Sequence, residues 1–187
     1  MSPARGARES PAPTGDTRRT HLPAALEGKT VPADAKIAII YGSPSDHDVM
    51  AQAGALLDRF GVPYDEISIS AHRAPRRLAE WLGELEPRGI EVVIAGAGMS
   101  AALPGVVAAH TALPVIGVPI KGGAMDGLDA LLSISQMPPG VPVACVGLNN
   151  ATNAAVLAVQ ILAVGDPDLR AKMWKFKEDF EQAAAQR

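Results

Sequence analysis

From Lys36 onward, short apolar runs alternate with longer stretches in which apolar residues recur at helical spacing. Lys36-Ile37-Ala38-Ile39-Ile40-Tyr41 is nearly continuous and predicts a strand buried on both faces. Met50, Ala53, Leu57 and Phe60 then repeat on one helical face, and Gly61 ends the helix they predict. Residues 64–70 predict a second strand, and Pro75 suits the first turn of a helix running through Leu78, Trp81, Leu82 and Leu85. Residues 91–95 predict a third strand, followed beyond Gly96 and Gly98 by a small-residue helix over 101–112. A fourth strand over 114–118, a short helix over 128–136, a fifth strand over 143–148 and an alanine-rich helix over 153–164 complete the series. Past Asp166, Leu169, Met173, Phe176 and Phe180 keep helical spacing with charges between them, which predicts an amphipathic C-terminal helix.

Such strict alternation with short connections implies an α/β protein: a three-layer α/β/α, doubly wound parallel sheet of the flavodoxin-like kind, with a C-terminal helix. Residues 35–165 form the α/β domain and 166–187 the terminal helix. Residues 1–34 differ. They hold Pro3, Pro11, Pro13, Pro23 and Pro32 among Arg5, Arg8, Arg18 and Arg19 with little apolar periodicity, and read as a flexible extension. Glu9 and Asp16 interrupt those arginines, no secretory apolar stretch follows, and no segment nears the roughly 18 apolar residues of a membrane span.

The 187 residues, 48% hydrophobic, are enough for one domain with a real core. A net charge of -3 offers no general attraction to nucleic acid or an acidic membrane, so any anion must be bound locally. The single cysteine, Cys145, lies in an apolar run and reads as a buried core thiol; neither an intrachain disulfide nor a cysteine zinc cluster is possible. A cytoplasmic enzyme fits best.

Ligands of open parallel sheets bind beyond the carboxyl ends of the strands. Three loops meet there: Gly42-Ser43-Pro44-Ser45-Asp46, Ser70-Ala71-His72-Arg73 and Gly96-Ala97-Gly98-Met99-Ser100. In the first, Gly42, the Ser43 and Ser45 hydroxyls and a helix start near Asp46 suit a phosphate, and the Asp46 carboxylate suits ribose hydroxyls. The competing reading makes Ser45 only a helix cap, with Asp48 completing an imperfect capping box. In the second, His72 supplies an imidazole, the side-chain type suited to a proton shuttle, and Arg73 is a permanent planar cation suited to an anion. His21, His47 and His110 lack such neighbours and read as structural or surface residues. The third loop lacks the third glycine of a dinucleotide fingerprint, and there is no metal-ligand cluster, triphosphatase phosphate loop or nucleophile elbow. The chemistry therefore rests on protons and positioning.

Gly42-Ser43-Pro44-Ser45-Asp46, Ser70-Ala71-His72-Arg73-Ala74-Pro75, Ala95-Gly96-Ala97-Gly98, Leu103-Pro104-Gly105, the run from Leu113 to Pro119 and the run from Gly127 to Pro138 resemble the PurE family of purine biosynthesis, over about residues 36–165. The resemblance implies an N5-carboxyaminoimidazole ribonucleotide mutase that works without metal or organic cofactor. It implies His72 as the catalytic residue and Ser43, Asp46 and Arg73 as ligands of the substrate's phosphate and ribose. Ser45, Ser70 and Gly98, on the same loops, complete the expected substrate-binding set. It also implies a homo-octamer that uses the C-terminal helix between subunits, a small ribonucleotide as ligand, and neither nucleic acid nor membrane as partner.

The chain departs from the common pattern of that family. Ala102 stands where many relatives carry a second active-site histidine, Tyr41 replaces a usual methionine, Pro44 an aspartate and His47 a tryptophan. Arg73 and the Leu113–Pro119 run favour the mutase branch over the carboxylase branch, which commonly has lysine after the histidine. Two alternatives follow: a carboxylase of aminoimidazole ribonucleotide using carbon dioxide, and a non-catalytic nucleotide-binding module that lost its chemistry with Ala102.

Overall fold

The structure, a computed structural model, describes residues 32–185. The expected extension therefore lies outside the described residues except for the exposed turn at Pro32–Asp34, and so does His21. Five strands form one all-parallel sheet in the order β2-β1-β3-β4-β5, with β1 at Ile37–Tyr41, β2 at Tyr64–Ser68, β3 at Val92–Gly98, β4 at Val115–Ile120 and β5 at Ala144–Cys145. The helices are α1 (His47–Phe60), α2 (Pro75–Gly83), α3 (Ala102–His110), α4 (Leu128–Ser135), α5 (Ala151–Leu162) and α6 (Pro167–Ala185). This is the expected doubly wound, flavodoxin-like fold with its C-terminal helix.

Because successive residues of a strand face opposite sides, the continuous apolar run of β1 feeds two cores. Ile37, Ile39 and Tyr41 pack with α1, α5 and α6, whereas Ala38 and Ile40 pack with α2, α3 and α4. Met50, Ala53, Leu57 and Phe60 of α1 all face the first core, and Gly61 closes the helix in the left-handed conformation at φ 70°. Leu169, Met173 and Phe176 put one face of α6 into that same core. Arg88 donates to Asp65 at 2.7 Å, which pairs the buried carboxylate.

Some boundaries move for identifiable reasons. Gly96, Ala97 and Gly98 belong to β3 rather than to a loop: a side chain at Gly96 would overlap Met50 Sδ, and one at Gly98 would sit 3.2 Å from the Ile120 carbonyl oxygen. The fifth strand is two residues instead of six. Asn149 donates to Pro119 O at 2.9 Å and Val146 to Gly117 O at 3.1 Å, but Pro119 has no N–H to return on that side of β4. Cys145, on this edge strand, is half-buried rather than buried, and burial still pushes its thiol up. Asn150 caps α5 by accepting from Asn153 N–H at 3.0 Å, so that helix starts earlier than its apolar pattern suggests.

Candidate active site

The sheet order reverses beside β1, where β2 leaves to one side and β3 to the other. At this switch point Gly42 N–H donates to Gly96 O at 3.3 Å, so the tails of β1 and β3 stay joined as the loops depart. Ile69 N–H donates to Tyr41 O at 3.0 Å and brings the loop after β2 alongside.

The first loop folds into a single 3-10 turn over Pro44–Asp46. Its cap is Ser43, not Ser45. Ser43 N–H donates to Asp46 Oδ2 at 3.0 Å, Ser45 N–H donates to Ser43 Oγ at 3.4 Å, and Pro44 takes the position where a missing N–H costs nothing. Asp46 N–H donates to Ser43 O at 2.9 Å and His47 N–H to Pro44 O. The expected cradle of free amides is thus largely consumed by the turn itself. What it presents outward is hydroxyl: Ser45 Oγ lies 2.8 Å from Ser43 Oγ and 3.5 Å from Asp46 Oδ1. Burial raises the Asp46 carboxyl above its ordinary value, against the Ser43 amide, the Ser45 hydroxyl and Arg73, which lower it.

In the second loop Arg73 bridges. Its Nε donates to Ser70 Oγ at 3.3 Å and its Nη2 to Gly42 O at 3.4 Å, while its backbone N–H also donates to Ser70 Oγ at 3.3 Å. Ser70 therefore holds the guanidinium, and the remaining N–H groups of the fork are left for an anion. His72 is exposed on the turn beside it, with no hydrogen bond or ion pair among the described residues. Beyond β3, Met99 and Ala101 hold left-handed backbone at φ 55° and 37°, a conformation that disfavours side chains and marks this corner of the rim as strained. Ala102 follows as the half-buried first residue of α3.

The structure therefore gathers Ser43, Ser45, Asp46, Ser70, His72 and Arg73 on two adjoining loops, and places Gly98 at the end of the neighbouring strand, where close packing on β4 accounts for it. His110 is structural, with Nδ1 2.8 Å from Val106 O. His47 is not a bystander. Its Nδ1 lies 3.0 Å from both Tyr41 Oη and Glu66 Oε1, a cluster that sequence reading missed although a tyrosine ending a buried strand needs a polar partner. Among the described residues there is no cluster of metal-ligating side chains, and no helix is long and apolar enough to cross a membrane.

A doubly wound sheet with hydroxyls, a guanidinium and an imidazole at its switch point defines a class: α/β proteins that bind a small anionic ligand beyond the strand ends. Comparison with known proteins narrows it. The AIR carboxylase family matches residues 36–183, and the chain belongs to that family. It is 55% identical over 147 residues to the N5-carboxyaminoimidazole ribonucleotide mutase of Pyrococcus abyssi, covering 79% of this chain and 84% of that protein. It is 54% identical over 140 residues to the phosphoribosylaminoimidazole carboxylase of Saccharomyces cerevisiae, covering 75% of this chain but 24% of that protein. The crystal structure of Treponema denticola PurE superposes with a TM-score of 0.75 at 28% identity, over 80% of this chain and 94% of that one.

Proposed function

We propose that the protein is an N5-carboxyaminoimidazole ribonucleotide mutase of purine biosynthesis, producing 4-carboxy-5-aminoimidazole ribonucleotide. His72 is its proton shuttle, and Ser43, Ser45, Asp46, Ser70, Arg73 and Gly98 surround the substrate. The observation that carries this reading is the rim itself: an uncommitted imidazole beside a guanidinium held between Ser70 Oγ and Gly42 O, in a chain of which 79% matches 84% of a mutase.

Arg73 and the serine hydroxyls hold the phosphate, and Asp46 accepts from the ribose, so the reacting ring is fixed by contacts remote from it. The carbamate N–C bond breaks, and its electron pair stays on the exocyclic nitrogen, which takes a proton from His72 as carbon dioxide is released. The electron-rich ring carbon then attacks the carbon dioxide. Its own proton passes to His72, the ring regains aromaticity and the imidazole is recharged. One histidine serves both transfers because imidazole gives and takes a proton near neutrality.

His72 is exposed in the single chain, so retention of carbon dioxide requires cover from outside it. A cytoplasmic homo-octamer supplies that cover. Val164, Trp174 and Phe180, 77%, 63% and 62% exposed around α6, support assembly through that helix, which packs at the C-terminal end of α1 and not over His72. Light scattering of the purified protein is expected to give an octamer of 19.4 kDa chains; a monomer would contradict it.

The similarity to the yeast carboxylase favours one second reading, direct carboxylation of aminoimidazole ribonucleotide. Ultraviolet absorbance separates the two. The mutase consumes the carbamate without added bicarbonate, whereas the carboxylase turns over aminoimidazole ribonucleotide only with bicarbonate; silence with both substrates would sink the enzyme assignment.

A further inference from the structure

We propose that Tyr41, His47 and Glu66 form a positioning triad that sets the Ser43–Asp46 turn for the substrate's ribose phosphate, an inference that rests on the mutase reading above. Tyr41 is the last residue of β1 and His47 the first of α1, so the two bracket the turn. Glu66, on the edge strand β2, pairs in register with Ile39, which shares the sheet face of Tyr41. One carboxylate oxygen meets both brackets: Tyr41 Oη donates to Glu66 Oε1 at 3.1 Å, and His47 Nδ1 lies 3.0 Å from the same atom.

The ring tautomer is assigned from the partners of Nδ1. Glu66 Oε1 is an acceptor, so an Nδ1 lone pair facing it would be repelled; Nδ1 must carry the hydrogen, shared between Glu66 Oε1 and Tyr41 Oη. The Glu66 side chain is 7% exposed, and an acceptor removed from water in this way holds its donors firmly. Burial and the Glu66 charge push the Tyr41 phenol up, with Asp46 adding to the same effect, so the hydroxyl stays a donor. The end of β1 and the start of α1 are thereby clipped to one point, and the intervening turn inherits its shape from that clip. Asp46 and Ser43 then meet the ligand in one arrangement rather than several.

A residue that orders the binding turn acts on ground state and transition state alike, so its loss raises KM and leaves kcat in place. The test uses the full chain as wild type, Tyr41→Phe, His47→Ala and His47→Asn, with KM and kcat for the carbamate and calorimetric affinity for ribose 5-phosphate. Tyr41→Phe and His47→Ala are expected to raise both KM and the ribose 5-phosphate Kd about tenfold, with kcat within about twofold. His47→Asn places an amide N–H near the position of Nδ1–H and is expected to restore both constants. The proposal is overturned if KM and Kd stay at wild-type values in Tyr41→Phe and His47→Ala even where the melting temperature falls, or if His47→Asn behaves like His47→Ala. A wild type without turnover whose variants still lose ribose 5-phosphate affinity in this pattern would refute the mutase reading and leave the triad standing.

Discussion

Asp46 is pulled in two directions. Burial, the larger effect, disfavours its charge, while the Ser43 amide, the Ser45 hydroxyl and Arg73 favour it. The net result is a carboxyl that holds its proton to higher pH when folded than when unfolded. Between the two ionisations the native chain binds more protons than the unfolded one, so this group's contribution to stability is present at low pH and is lost as pH rises. Asp46→Asn, which cannot ionise, is therefore expected to gain in melting temperature relative to wild type as pH rises through and above the ordinary carboxyl range. A difference that stays flat across that range would contradict the assignment. At this scale the sequence was informative where chemistry is local: His72 and Arg73 are adjacent, and Ser43 and Asp46 are three apart. Tyr41 and His47 stand out in it only as departures from the family pattern, His47 reads as structural or surface, and neither is joined to Glu66, because that requires the register of β1 on β2, which no spacing states.

Among the elements, the sequence pattern located each α-helix of the described residues, and its errors sit at the ends, where in two cases a cap or a proline decides. Asn150 extends α5 toward its N-terminus, and Pro119 shortens β5. The glycines carried a different lesson. A glycine after an apolar run reads as a loop that approaches a ligand, yet Gly96 and Gly98 continue β3 because helix and strand neighbours leave no room for a side chain. Gly117 in the middle of β4 is the sharper case: an added Cβ would overlap Ile134 Cγ2 and lie 2.8 Å from Val143 Cγ1, both on β-branched side chains with little freedom to turn away. Gly117→Ala is expected to cost about 1–3 kcal/mol in urea unfolding. An unchanged midpoint would mean that α4 and the chain before β5 are less tightly seated than described.

For the whole molecule, the doubly wound topology does most of the functional work. It carries two loops that are 27 residues apart, counted from Ser43 to Ser70, to one switch point, and the Arg73 fork then ties them together. Strand order is not written in any local motif, but right-handed crossovers and strict β-α alternation leave few alternatives, which is why the rim was legible before the sheet order was. His72 is the group proposed to move the proton on that rim. The most direct measurement is turnover of the carbamate by wild type and by His72→Asn, each paired with calorimetric affinity for ribose 5-phosphate. Asn is expected to lower turnover at least about a hundredfold while affinity changes by less than about threefold, as for an imidazole proposed to serve chemistry and not anchoring. Turnover by His72→Asn at the wild-type rate would contradict that role.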